Sequence, residues 1–189
     1  MRHTLLALSL ALLPLSLVQA HEHEEEHGSL GAHEHGVASL NVALDGSSLE
    51  IQLESPAMNI VGFEHAANSA ADQDKVASAK ARLQQPLGLF SLPAAAACRV
   101  TRQELHSPLF GGATHEHEQA EAAHEHDHEH SDVDADYALT CSHPEQLLSL
   151  DLDQFFQQFP ATEKLTVQLI GPNGQQGAEL NKSNTRLSF

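Results

Sequence analysis

The chain has 189 residues, with nine Lys+Arg against 26 Asp+Glu, for a formal net charge of -17 with histidine neutral. So acidic a chain repels phosphate, which excludes a nucleic-acid partner, and it offers no basic face to an anionic membrane. The outlier is histidine: 15 residues, more than lysine and arginine together, which points to metal or proton chemistry at imidazole.

In chain order, Met1 to Ala20 read as a signal peptide. Arg2 and His3 form a short positive start. Leu5 to Leu13 is almost wholly apolar but too short to span a bilayer, and Val18 and Ala20 fit the small-residue pattern before a cleavage site. No cysteine follows that site, so a lipid anchor has no acceptor. The expectation is an exported protein with no membrane anchor. Residues 21–36, HEHEEEHGSLGAHEHG, then form a His-rich segment with five histidines. Residues 37–189 read as a single α+β domain interrupted by a second His-rich run at 114–131, with six. Neither run has enough apolar residues to bury a face, so both are expected to be disordered without a ligand.

Within the domain, Leu40, Val42 and Leu44 alternate, Asp45-Gly46 makes a turn, and Leu49, Ile51 and Leu53 alternate on the return. This predicts a β-hairpin over Val37 to Leu53. AMNIVGFEHAANS reads as an apolar loop that packs down. Asp72 to Gln85 has helical composition, with Val76, Ala79 and Leu83 spaced for one face and Pro86 as its stop. Cys98–His106 and Val133–Cys141 read as a second hairpin whose loop is the histidine run. Pairing Cys98 with Cys141 sets Val100 opposite Leu139 and Arg102 opposite Tyr137. Ser142-x-x-Glu145 resembles a capping box, and a helix is expected from about Asp151 to Phe159. Leu165 to Ile170 alternates as a strand, GPNGQQG reads as a turn, and Ala178 to Leu180 as a short final strand. The sum is an α+β fold: a mainly antiparallel sheet of about six strands with two helices.

Two cysteines in an exported chain, Cys98 and Cys141, point to a disulfide at the base of the second hairpin. Two thiolate ligands are the alternative, disfavoured by an oxidising compartment.

The histidines of the runs lie in H-x-H pairs: His21/His23, His33/His35, His115/His117, His124/His126 and His128/His130, with His27 beside the first. In extended chain such a pair puts both rings on one side, about 6.5–7 Å apart at the backbone, so both can bend toward one ion. Neutral imidazole suits zinc, nickel and copper(II), and the interleaved Glu and Asp add oxygen ligands and partners for the second ring nitrogen. A solvated tract that charges near pH 6 is the plainer reading of the same residues. HEEEH (His23 to His27) and HEHDH (His124 to His128) match the HExxH zinc-protease pattern, and HDHEH (His126 to His130) its inverse. None has an apolar helical stripe to set it in a cleft, and no serine or cysteine sits in a nucleophile context, so no enzyme is expected. Outside the runs, His106 and His143 read as surface or capping residues. His65, with Glu64 and Met58 near it in sequence, is the one candidate ligand in the domain.

The pieces GAHEHG (31–36), LNVALDGSSLEIQLESPAMNIVGFEH (40–65), the HEH-repeat loop and VQLIGPNGQQGAEL (167–180) resemble the ZrgA-like family, zinc-regulated periplasmic proteins of Gram-negative bacteria described as a domain of unknown function. The resemblance covers nearly all of the chain after residue 20. It implies a periplasmic zinc-binding accessory to a high-affinity zinc import system, acting near the importer's solute-binding protein, with His115 to His130 as the metal-binding segment. The residues alone leave open a periplasmic store or detoxification protein for nickel or copper(II), and a pH-sensing interaction module. Copper(I) is disfavoured, because Met58 is the sole methionine after the leader and both cysteines are assigned to a bridge.

Overall fold

The computed structural model describes residues 34–111 and 131–189. Among them are eight strands and four α-helices, where sequence reading expected about six strands and two helices. The first hairpin forms as its alternation dictates: β1 (Val37–Asp45) pairs antiparallel with β2 (Ser48–Pro56), with Leu40 opposite Leu53 and Val42 opposite Ile51. Gly46, at φ +55, supplies the left-handed residue of the turn. The stretch read as an apolar loop begins with a five-residue helix, α1 (Ala57–Val61), closed by Gly62 at φ +86. α2 (Ala70–Leu83) starts two residues earlier than expected. Ser69 caps it by accepting the Asp72 N–H at 3.1 Å, and the Ser69 hydroxyl donates to the Asp72 carboxylate at 2.6 Å. Pro86 does end α2, and it also opens a single turn, α3 (Pro86–Leu89), because proline fits a first helical position.

The second hairpin joins β3 (Cys98–His106) to β4 (Asp132–Cys141). Cys98 faces Cys141 and Val100 faces Leu139 as expected, but a bulge at Thr101 then shifts the register. Arg102 lies opposite Ala138, and Gln103 opposite Tyr137. The unbulged register would turn Arg102 onto the core face beside the buried Tyr137. One extra residue re-phases the strand, and the Thr101 hydroxyl donates to the Ala138 carbonyl at 2.9 Å. After β4 there is no capped helix start at Ser142. His143 instead precedes a 3-10 turn, Pro144–Gln146, with no side-chain cap. The Leu148-Leu150-Leu152 alternation gives a short strand, β5 (Ser149–Asp151), and the expected helix contracts to α4 (Asp153–Gln158). β6 (Lys164–Gly171) and β7 (Gly174–Asn181) form a hairpin in which most of GPNGQQG lies in strand. β8 (Arg186–Ser188), not expected, pairs with β5.

The main sheet runs β3-β4-β2-β1-β6-β7. All its pairs are antiparallel except β1 with β6, where Val37 aligns with Lys164 and Ala43 with Ile170. One face is apolar: Leu40, Val42, Leu49, Ile51, Leu53, Val133, Ala135, Leu139, Leu165, Val167 and Leu169 are all buried. The helices cover it with Ile60, Val76, Ala79, Leu83, Phe155 and Phe159, forming one core. Phe90 stacks on Phe155 and meets Tyr137 edge-on, and the Tyr137 hydroxyl donates to the Leu83 carbonyl at 2.8 Å, tying α2 to β4. The other face carries Asn41, Glu50, Gln52, Glu54, Asp134, Asp136 and Glu104, and is open.

Candidate metal centre

Of the histidines singled out as ligands, His21, His23, His27, His33, His115, His117, His124, His126, His128 and His130 lie outside the described residues. His35 and His65 are placed. So are the two chain segments that adjoin the runs: Glu34–Val37 on one side, Gly111 and Ser131 on the other.

The Glu34–Val37 segment is a turn closed by the Val37 N–H donating to the Glu34 carbonyl at 3.0 Å. Gly36 occupies φ +86 and is buried, and a Cβ there would meet the Glu163 side chain at 3.3 Å. Its carbonyl accepts the N–H groups of Glu163 (2.7 Å) and Lys164 (2.9 Å). Its own N–H donates to the buried Asn59 Oδ1 at 2.6 Å, while Asn59 Nδ2 donates to the Val37 carbonyl (2.8 Å) and the Ser55 hydroxyl (3.3 Å). Asn59 is therefore a buried amide whose bonds staple the end of the first run to α1 and β2, which is the structural sense of ESPAMN. With the backbone held, the His35 ring reaches back to Glu64, Nε2 lying 3.0 Å from Oε1. The imidazole side chain is 52% exposed and the carboxylate only 14%.

The second run adjoins the fold at the same place. Ser131, which sequence reading put in the loop 114–131, is buried and belongs to the domain. Its hydroxyl donates to the Glu64 carbonyl at 2.9 Å, and its own carbonyl accepts the Ala57 N–H at 2.8 Å. The anchor points of both His-rich segments thus meet on Glu64.

His65 points elsewhere. Its ring stacks on Phe63, centroids 4.7 Å apart, and Nδ1 lies 3.0 Å from the Ala66 carbonyl. His143 pairs loosely with Glu145 at 3.4 Å on the surface. His106 ends β3 opposite Asp134. Partial burial, with Asp132, Glu54 and Asp136 around it, raises the Asp134 carboxyl from its ordinary value, while His106 pulls it down. Among the described residues no three His, Cys, Asp or Glu side chains are grouped so as to hold a metal ion. Cys98 and Cys141 are joined in a disulfide, as expected, so neither is a thiolate ligand. Glu64 was missed as more than a neighbour of His65. Its place in the GFEH element was the available signal, but its meeting with residue 35 depends on the fold.

No helix among the described residues is long and apolar enough to cross a membrane. No curated protein sequence matches the chain. The family model described as ZrgA family zinc uptake protein matches residues 32–189, the whole domain together with the turn that carries His35, and the chain belongs to that family.

Proposed function

We propose that this chain is a non-enzymatic zinc binder of the periplasm that captures or buffers Zn²⁺ and hands it to a high-affinity import system, with the importer's solute-binding protein as recipient. The observation that carries the reading is the zinc uptake family match over residues 32–189, joined to 11 histidines in two runs. The intramolecular disulfide fits an oxidising compartment. Imidazoles interleaved with carboxylates can exchange an ion one ligand at a time, which suits a carrier. Ligation requires neutral imidazole, so protons compete with the metal.

The test is competitive titration of residues 21–189 with Zn²⁺, Ni²⁺ and Cu²⁺ by calorimetry and elemental analysis, alongside expression of the protein under zinc starvation and metal excess. Bound zinc is expected to fall between about pH 7 and pH 5.5, through the ordinary histidine range, and synthesis to rise on zinc starvation. Synthesis raised by nickel or copper excess instead would make the protein a store for those metals.

A further inference from the structure

We propose that the outer edge of β7 is a docking surface for a second copy of this chain, whose own β7 pairs with it antiparallel about Gly177, so that one sheet runs through both copies. The pairing uses no histidine and no metal ion.

The main sheet has two edge strands, β3 and β7, and they differ. An edge presents a row of unpaired backbone groups, and proteins blunt it with charges, proline or a bulge. β3 has the Thr101 bulge and carries Arg99, Arg102, Glu104 and His106. β7, GQQGAELN, pairs with β6 without a bulge, has no proline, and carries a single charged residue, Glu179. That charge is balanced, because Lys164 Nζ donates to Glu179 Oε1 at 3.2 Å. In a chain with 26 acidic residues against nine basic, this is a locally neutral strip that a like-charged copy can approach.

The direction of its backbone groups follows from Asn181. The Asn181 N–H donates to the Asn184 carbonyl and the Asn181 carbonyl accepts the Asn184 N–H, both at 2.9 Å, so residue 181 points away from β6. Alternate residues of a strand point the same way. The N–H and C=O groups of Gln175, Gly177 and Glu179 therefore also face outward, and no described residue bonds to them. Pairing centred on Gly177 sets it opposite the partner's Gly177, and Gln175 opposite the partner's Glu179 in both directions. Every outward N–H then meets an outward carbonyl, and each Glu179 faces an amide. Other centres of the same phase do worse. Centring on Glu179 would put two carboxylates face to face and call on Asn181, whose groups are taken. Centring on Gln175 would run Gly177 against Asn173, past the end of β7. A strand that complements itself in one register is what a twofold interface requires. Strand pairing alone is small beside the about 1,200–2,000 Å² of a stable interface, so the dimer should be weak and depend on concentration.

The test is sedimentation velocity of residues 21–189 over a range of protein concentrations, with a chelator present so that no metal bridges two chains. The mean mass is expected to rise from one chain toward two. Gly177→Pro should remain a monomer over the same range with its thermal midpoint little changed, because the N–H it removes faces away from β6. Gln175→Lys, set against the partner's Glu179, should tighten the dimer by about 2- to 30-fold, and Gln175→Glu should loosen it by as much, since each change acts at both symmetry-related pairs. Gln154→Lys, exposed on α4, makes the same change of net charge away from the edge and should leave association unaltered. A chain that stays monomeric at every concentration would overturn the proposal. So would a dimer that survives Gly177→Pro, or one that responds alike to lysine at 175 and at 154.

Discussion

Asp134 sits on the open face of the sheet, aligned with Glu54 on one neighbouring strand and His106 on the other. Burial and the carboxylates of Asp132, Glu54 and Asp136 raise its folded pKa, so its ionised form opposes folding. The sign follows from proton binding: a carboxyl whose pKa is higher in the folded state costs stability as pH rises from the unfolded value through the folded one. Asp134→Asn is expected to raise the thermal unfolding midpoint at pH 7. At pH 3, where the carboxyl is largely protonated in both states, the gain should vanish, and matched melts at the two pH values check it. Asn59 shows the opposite economy. It is buried, yet each polar atom of its side chain has a partner, and a buried group so satisfied costs little until a partner is removed. Neither role is visible in sequence, where Asn59 is one polar letter in an apolar stretch and Asp134 one acid among many.

At the level of elements, the disulfide ties the bases of β3 and β4 and closes a loop that contains the second histidine run. In the loop-entropy picture a link over this separation contributes about 4 kcal/mol. The double variant Cys98→Ala/Cys141→Ala should lose stability on that scale in urea melts while binding the same number of zinc ions, because the proposed ligands are imidazoles. A fall in zinc stoichiometry would show a sulfur in the site. Where the local signals agreed, elements could be read directly: the β1–β2 hairpin has alternation and Asp45-Gly46 together, and α2 has Val76, Ala79 and Leu83 on one face. Elements too short to establish a period could not. α1 is five residues, and β5 and β8 are three each. They exist because tertiary partners complete them, as Asp151 does by accepting from Arg186 Nε at 2.8 Å and Thr185 Oγ1 at 3.1 Å. The Thr101 bulge belongs to the same class, being set by which side chains the core rejects rather than by any local motif.

For the whole molecule, the proposed zinc capacity and the packed core fall in different parts of the chain. Residues 114–130 hold six histidines and three alanines as their only apolar side chains. Replacing them by a Gly/Ser linker is expected to remove most of the bound zinc and shift the apo unfolding midpoint little; the replacement must stop short of Ser131, whose two hydrogen bonds belong to the domain. Calorimetric zinc counts and thermal melts of the two chains decide it. The histidine runs could be read from composition alone, but the contact of His35 with Glu64 could not, since the two are 29 residues apart and meet only through the fold. The parallel pairing of β1 with β6 carries a further consequence, for the order in which the protein folds. β1 is the fourth strand of six across the sheet and the first in sequence, and its second neighbour, β6, begins at Lys164. The two hairpins β1–β2 and β3–β4 need only nearby chain, but half the ladder of β1 stays unpaired until the last quarter of the sequence is present. A chain delivered from its N terminus can pair four strands by Cys141 but closes the six-stranded sheet only near the end of its synthesis.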